Sequence, residues 1–263
     1  MIDQFERWSE IYDQVYADVL EDIDFYLRQS KLANGPILEL GCGTGRITMP
    51  ILDEGYDISG LDSSISMIQV LRNKALVSNK STTGIFVIGD MVQVGKLFAR
   101  KFKLVIAPYR GFQSLLTISE QEKCLIELRN VLDREHKVII NLFTPSSQMF
   151  DQNPGKMYKV KEIADPASEV TLSVWHRTEV CMSEQTLKVE IKVEKSANGF
   201  IYDTRYAPFS LRYIYPQEAQ YLFNYCGYEV IDLMGDYEGS PYDDSSQDMI
   251  WTIRKKEKRH VRI

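Results

Sequence analysis

Cysteine is scarce in this chain, long apolar runs are missing, and there is no excess of basic charge. Each shortage argues against a class of function. Four of the 263 residues are cysteine (Cys42, Cys124, Cys181 and Cys226), scattered, with no C-x-x-C pair and no histidine nearby. That spacing argues against structural zinc and a disulfide framework, so no metal is expected and a reducing, cytoplasmic setting fits. No apolar stretch approaches the roughly 20 residues that a membrane-spanning helix needs. The first residues, Met1 to Glu6, lack the basic and apolar regions of a secretion signal. The net charge of -6 argues against a nucleic-acid substrate, because phosphate binding needs a basic surface. What remains is ordinary for a chain that buries a core: 44% hydrophobic and 26% charged residues.

The hydrophobic pattern divides the chain. Residues 3–30 read as a helical lead-in, with Phe5, Trp8, Tyr12, Val15 and Val19 at helical spacing, broken by Gly35-Pro36. Short apolar strands then alternate with helices. Strands are expected at Ile37–Leu40, Asp57–Leu61, Ile85–Ile88, Leu104–Ala107 and Val138–Leu142. Helices are expected at Arg46–Glu54, from Ser63 or Ser64 to about Leu76, and between Leu115 and Leu132, the last opened by the capping-box pattern from Ser119 to Glu122. Such alternation predicts a parallel sheet with right-handed crossovers. From about Val170 to Tyr215 the period changes to two: three long alternating segments, with Leu187, Val189, Ile191 and Val193 on one face and a turn at Asn198-Gly199, predict an antiparallel insertion. A helix from Pro216 to about Cys226 and strands at Glu229–Met234 and Asp248–Arg254 complete the pattern. The expected organisation is a cap over residues 1–34, a core over 35–145 and 216–256, and the insertion over 146–215.

The most informative run is Ile37-Leu38-Glu39-Leu40-Gly41-Cys42-Gly43-Thr44-Gly45-Arg46, a buried strand that ends in a glycine turn and opens into a helix. Backbone N–H groups and a helix N-terminus can approach a ligand closely there. The spacing is G-x-G-x-G, not the G-x-G-x-x-G of dinucleotide binding, and Glu39 is a second departure. Both point away from NAD and toward an adenosyl ligand without a pyrophosphate. In open α/β sheets ligands sit at the carboxyl ends of the strands. There the chain places Asp62 after its second strand, Gly89-Asp90-Met91 after its third, and Ala107-Pro108-Tyr109-Arg110 after its fourth.

Taken together these residues resemble the class I S-adenosylmethionine-dependent methyltransferases, strongly over about residues 35–143 and by pattern alone at the C-terminal strands. The resemblance implies a Rossmann-like α/β fold with a seven-stranded, mostly parallel sheet in the order 3-2-1-4-5-7-6 and an antiparallel insertion after strand five. It implies S-adenosylmethionine as cofactor and S-adenosylhomocysteine as its product. The cofactor residues expected are Tyr12, Glu39, Gly41, Cys42, Gly43, Arg46, Asp62, Ser63, Met67, Asp90, Met91 and Ala107. Asp62 would accept both ribose hydroxyls, Asp90 the adenine amino group, and Met67 would pack on the adenine. The alternatives are a helix cap for Asp62, a turn for Asp90 and a core position for Met67. Tyr12, with Asp13 and Tyr16, resembles an element that folds over the cofactor; helical packing is the competing view.

Enzymes that methylate nucleobase amino groups carry Asn or Asp where this chain has Ala107, so the strand-four segment looks instead like that of small-molecule methyltransferases, sugar-amine N-methyltransferases among them. Tyr109 is expected to shape the transfer region, and His176, on one strand face with Leu172, Val174 and Val180, is a candidate base or a half-buried structural histidine. Tyr16, Arg110, Gln113, Trp175 and Tyr213 are the substrate-side candidates. Arg110 would take an anionic group or serve as a salt-bridge partner. The acidic, tyrosine-rich loop Gly235–Asp244 suits an amine acceptor through charge and cation–π attraction. His136 reads as structural. The resemblance further implies a homodimer through the insertion. The competing functions are a methyltransferase acting on tRNA or protein, for which only the basic tail Arg254–His260 speaks, an NAD-dependent enzyme, and a binding module without catalysis.

Overall fold

A computed structural model describes residues 8–78, 84–146, 149–150, 155–165 and 169–257. Among these residues eleven strands form two sheets. The first contains β1 (Ile37–Leu40), β2 (Ile58–Asp62), β3 (Ile85–Ile88), β4 (Phe102–Ala107), β5 (Leu132–Phe143), β10 (Tyr228–Met234) and β11 (Asp248–Lys255), in the order β3-β2-β1-β4-β5-β11-β10. Pairing is parallel from β3 through β5 and antiparallel at β11, which joins β5 to β10. With the last two strands counted sixth and seventh, this is the expected 3-2-1-4-5-7-6 sheet. β1 is buried along its whole length, which is why Ile37-Leu38-Glu39-Leu40 reads as a nearly continuous apolar run rather than an alternating one. Two apolar clusters lie on the sheet: one holds Phe102, Leu125, Phe223 and Trp251, the other Tyr26, Ile51, Ile68 and Leu71.

The crossovers carry α3 (Thr48–Asp53), α4 (Ile65–Val77), the single turn α5 (Val94–Leu97) and α6 (Ile118–Leu128); α7 (Pro216–Tyr225) precedes β10. Two boundaries differ from the sequence reading. α6 is capped by Thr117, whose hydroxyl accepts from the Glu120 N–H while the Glu120 carboxylate accepts from the Thr117 N–H; the box therefore starts two residues before Ser119. β5 starts at Leu132, and a register shift against β4 between Phe102 and Leu104 accommodates the polar stretch Asp133–Lys137. His136 lies in that stretch with one ring nitrogen on Asp133 O and the other accepting from the Lys255 N–H, the structural role expected of it.

The lead-in is not one helix. It folds as α1 (Tyr12–Val15) and α2 (Ile23–Ala33), with the chain between them tied at Val19 and Asp22 to Arg46, just past the glycine turn. Asp22 explains the break. It stands at the N-cap of α2 but makes no capping bond, because its carboxylate is spent on Arg46. Phe5 and the rest of residues 1–7 lie outside the described residues, as do 258–263 of the basic tail.

The insertion has four strands rather than three: β6 (Tyr158–Asp165), β7 (Val170–Cys181), β8 (Thr186–Ala197) and β9 (Phe200–Arg212), an antiparallel meander in that order. β6 escapes the sequence reading because it is an edge strand that leaves Val160 exposed and shifts register against β7 between Lys159 and Lys161. The Asn198-Gly199 turn joins β8 to β9 with both residues at positive φ, 51° and 79°. Leu172 and Val174 of β7, Ile191 and Val193 of β8, and Ala207 of β9 form the inner face, which packs on Trp8, Ile11, Val15 and Met67. Among the described residues no helix is long and apolar enough to cross a membrane.

Candidate active site

The sheet opens at the carboxyl ends of β1 to β4 into a cleft of about 320 Å³, within the size range of small-molecule sites. The glycine turn forms its floor. The Gly41 and Cys42 N–H groups both donate to Leu61 O, at 2.7 and 3.1 Å, which ties the turn to β2. Gly43 has φ 53° and donates its N–H to Asp62 Oδ2 at 2.8 Å, while Oδ1 accepts from the Ser64 N–H at 2.8 Å. One carboxylate therefore fixes both the turn and the start of α4, where Ser64 caps by accepting from the Met67 N–H. Gly45, at φ 89°, shares the left-handed backbone of Gly43, and a Cβ there would also stand 2.4 Å from Leu71 Cδ1. Asp90, exposed at the end of β3, accepts from the Val92 N–H at 3.0 Å and so opens the short 3-10 turn Met91–Gln93.

Beneath the turn, Glu39 is 3% exposed and accepts a hydrogen bond from the Thr48 hydroxyl. Burial pushes its carboxyl up to about 8, against the bond from Thr48 and the nearby Arg46 charge, which lower it. Arg46 is a fixed strut. Both of its terminal nitrogens reach the Asp22 carboxylate at 2.6 Å, one also donates to Val19 O at 3.0 Å, and the guanidinium stands 4.8 Å from the Tyr109 ring centre. Around it lies a ladder of rings: Trp8 with Tyr12 and Tyr16, Tyr12 with Tyr16 at 4.7 Å, Tyr16 with Tyr109 at 5.3 Å, and Trp8 with Phe209 at 6.1 Å. Burial raises the phenols of Tyr12, Tyr16 and Tyr109 above the ordinary tyrosine value, so all three are neutral hydroxyls near pH 7. Tyr109 and Arg110, at the end of β4, sit one after the other at φ 44° and 68°, a left-handed pair that costs of order 1 kcal/mol per residue. Backbone strain of this kind collects at functional sites.

The cleft brings together Tyr12, Tyr16, Glu39, Gly41, Cys42, Gly43, Arg46, Asp62, Ser63, Met67, Asp90, Met91, Tyr109 and Arg110. Five other candidates lie elsewhere. Ala107 is wholly buried under the β4 end, and Pro108 takes its place in the wall. Gln113 is a core strut: it donates to Arg212 O at 3.2 Å and accepts from the Phe143 N–H at 3.0 Å, which fastens β5 to β9. Tyr213 is 2% exposed, with Phe150 and Tyr215 each 5.8 Å away. Trp175 falls on the outer face of β7, where the ammonium groups of Lys192 and Lys159 stand 4.5 and 5.9 Å from its ring. His176 is on the inner face, paired with Ile191 and Tyr158, but outside the cleft wall. Burial and the Arg110 charge lower its pKa, so its imidazole is neutral near pH 7.

The wall also contains Trp8, Ser114, Leu115 and Glu120, with Phe209 and Leu211 from the insertion. Phe209 and Leu211 continue the period-two inner face that begins at Ala207, and that alternation was their only signal. Among the described residues no cluster of three or more His, Cys, Asp or Glu side chains is placed to hold a metal.

Residues 37–135 match the family model described as a methyltransferase domain. A methyltransferase of undetermined activity from Oceanobacillus iheyensis is 24% identical over 158 residues, which cover 60% of this chain and 62% of that one. The chain thus matches less than two thirds of that relative's length. Among solved structures, the CcbJ methyltransferase from Streptomyces caelestis superposes with a TM-score of 0.82 at 25% identity, covering 97% of this chain and 98% of its own. The sugar N-methyltransferase KedS8 from Streptoalloteichus shares the fold at a TM-score of 0.68 and 14% identity, with 93% of each chain covered.

Proposed function

We propose, from the premise that this chain is a class I S-adenosylmethionine-dependent methyltransferase with its methyltransferase domain at residues 37–135, that it methylates a nitrogen or oxygen of a small-molecule acceptor. The observation that carries the proposal is the convergence of the Gly41–Gly43 turn, Asp62 and Asp90 at three successive strand ends on one cleft. The residues fit the cofactor. The turn leaves room for a ligand to approach its backbone, and the exposed Asp90 and the part-buried Asp62 offer carboxylate oxygens to hydroxyl and amino donors. Met67 and Met91 supply apolar surface beside them. S-adenosylmethionine, when bound, supplies an activated methyl group on a positively charged sulfur.

The chain's own residues contribute positioning and exclusion of water. Tyr12, Tyr16, Tyr109 and Trp8 close the cleft with aromatic surface, and Arg46, already neutralised by Asp22, holds Tyr109 in place. The neutral phenols are not bases near pH 7, and Glu39 is engaged by Thr48 below the turn. A neutral amine needs no strong base to act as a nucleophile, so the nature of these groups favours nitrogen over oxygen. Residues 1–34 serve as a cap over the cofactor, and 146–215 as the acceptor-side wall through Phe209 and Leu211. We further propose that the chain pairs with a second copy through the insertion, and that it works in the cytoplasm, which suits four free cysteines.

Titration calorimetry tests the reading. S-adenosylhomocysteine should bind at one site per chain and NAD should not; binding of NAD alone would overturn the proposal.

A further inference from the structure

Among the described residues, six charged side chains line the cleft: Glu39, Arg46, Asp62, Asp90, Arg110 and Glu120. Five of them are engaged within the protein. Glu39 accepts from Thr48, Arg46 is clamped by Asp22, Asp62 accepts from two backbone N–H groups, Asp90 accepts from one, and Glu120 closes the α6 capping box. Arg110 is the exception. Its side chain makes no hydrogen bond or ion pair with another described residue, and its Nε is completely buried without an acceptor. The guanidinium is held by rings alone, 5.1 Å from the centre of Tyr109 and 5.6 Å from that of Phe143. Aromatic faces attract a cation but cannot accept the in-plane N–H bonds of a guanidinium. The two most deeply buried arginine side chains among the described ion pairs are treated differently: Arg46 has Asp22 and Arg212 has Glu218, and the part-buried Arg129 at least donates to Cys226 O. A shielded charge without a counterion is costly, and here it stands on a strained left-handed backbone.

Position indicates what the missing counterion is. Asp90, Asp62 and the glycine turn occupy the ends of β3, β2 and β1, and Arg110 follows β4 and leans on Phe143 at the end of β5. It is displaced from the adenosyl-binding groups toward the insertion, whose inner-face His176 feels its charge. We propose that Arg110 receives a carboxylate of the methyl acceptor, so that the substrates are small acids that also carry the nucleophile, amino acids and aminobenzoates being the simplest members. The proposal rests on the methyltransferase reading. A planar fork facing a carboxylate forms paired charge-assisted hydrogen bonds, the geometry for which arginine is suited.

The cofactor's own amino-acid end also bears a carboxylate, and the experiment separates the two sources. Protein saturated with S-adenosylhomocysteine is titrated with proline, β-alanine and 3-aminobenzoate and with their amides, and methyl transfer to the same pairs is followed with labelled cofactor. Acids should bind at millimolar concentration, and amides at least roughly tenfold more weakly. Arg110→Met should weaken the acids by roughly tenfold to a hundredfold and abolish the preference over amides, with Arg110→Lys restoring part of it. The affinity for S-adenosylhomocysteine should stay at the wild-type value, and the melting temperature should not fall, because the substitution removes a shielded charge that has no counterion in the unliganded protein. Equal binding of acids and amides to the wild type, or binding of none of the three acids, overturns the proposal without any variant. Loss of S-adenosylhomocysteine affinity in a folded Arg110→Met protein also overturns it, by assigning Arg110 to the cofactor's carboxylate. Failure of the wild type to bind S-adenosylhomocysteine would refute the methyltransferase reading itself, a separate and earlier result.

Discussion

Asp62 serves two elements with one carboxylate, holding the Gly43 N–H with one oxygen and the Ser64 N–H with the other. Asp62→Ala should therefore loosen the glycine turn as well as remove the proposed contact to the cofactor. Calorimetry should show S-adenosylhomocysteine affinity reduced by roughly tenfold or more. Glu39 gives a pH signature. In the unfolded chain its proton leaves near the ordinary 4.5, whereas burial in the fold retains it to about 8. Between those values the unfolded state binds fewer protons, so this group makes stability fall as pH rises and then level off above about pH 8. Glu39→Gln should flatten that slope, and melting curves recorded across the range would show it. A third outcome concerns His176, one of only three histidines and hence assignable by NMR. The Arg110 charge helps to depress its pKa, so Arg110→Met should raise it. The position of Asp62 and Asp90 at strand ends on one cleft was legible in the sequence, because strand ends are fixed by short, local βα units. Trp175 and Gln113 were not. Which face of β7 turns inward, and whether an amide fastens β5 to β9, depend on partners far away in the chain.

The segment Trp8–Asp22 is an element without much secondary structure, yet it is bolted at many points. Asp13 accepts from the Thr44 hydroxyl at 2.7 Å and pairs with Lys74 at 2.6 Å; Asp18 pairs with Lys161, and Glu10 with Arg205. The exposed pairs contribute little individually. Asp22–Arg46 differs, because the carboxylate is 1% exposed and the guanidinium 12%. Removing one member of a buried pair strands the other charge. Asp22→Ala should cost about 3 kcal/mol, seen as a lower denaturation midpoint. Helical spacing in the sequence had suggested a single helix here. The spacing instead marks residues that pack on the meander and on the cleft, and the competing claim of Arg46 on Asp22 breaks the helix in two. β6 was hidden for a related reason, since an edge strand needs neither a clean alternation nor a buried face.

At the scale of the whole molecule, the long strand β9 is an edge of the meander, and it leaves Phe200, Tyr202 and Tyr206 exposed. An uncovered edge with apolar side chains is suited to a second chain. Sedimentation should give twice the chain mass, and Phe200→Asp combined with Tyr202→Asp should give single chains that still bind S-adenosylhomocysteine; a wild-type chain that sediments singly would remove the pairing.

The meander leaves the core after Phe143, at the end of β5, and returns at Pro216, the start of α7. Between those points it supplies Phe209 and Leu211 to the cleft and none of the Gly41–Asp90 contacts. The protein is thus built like a handle with interchangeable heads. Under the proposed methyltransferase reading, a graft of residues 144–215 from a relative should change acceptor preference in a single step while S-adenosylhomocysteine affinity stays at the wild-type value, and equal preference before and after the graft would remove the acceptor role of the insertion.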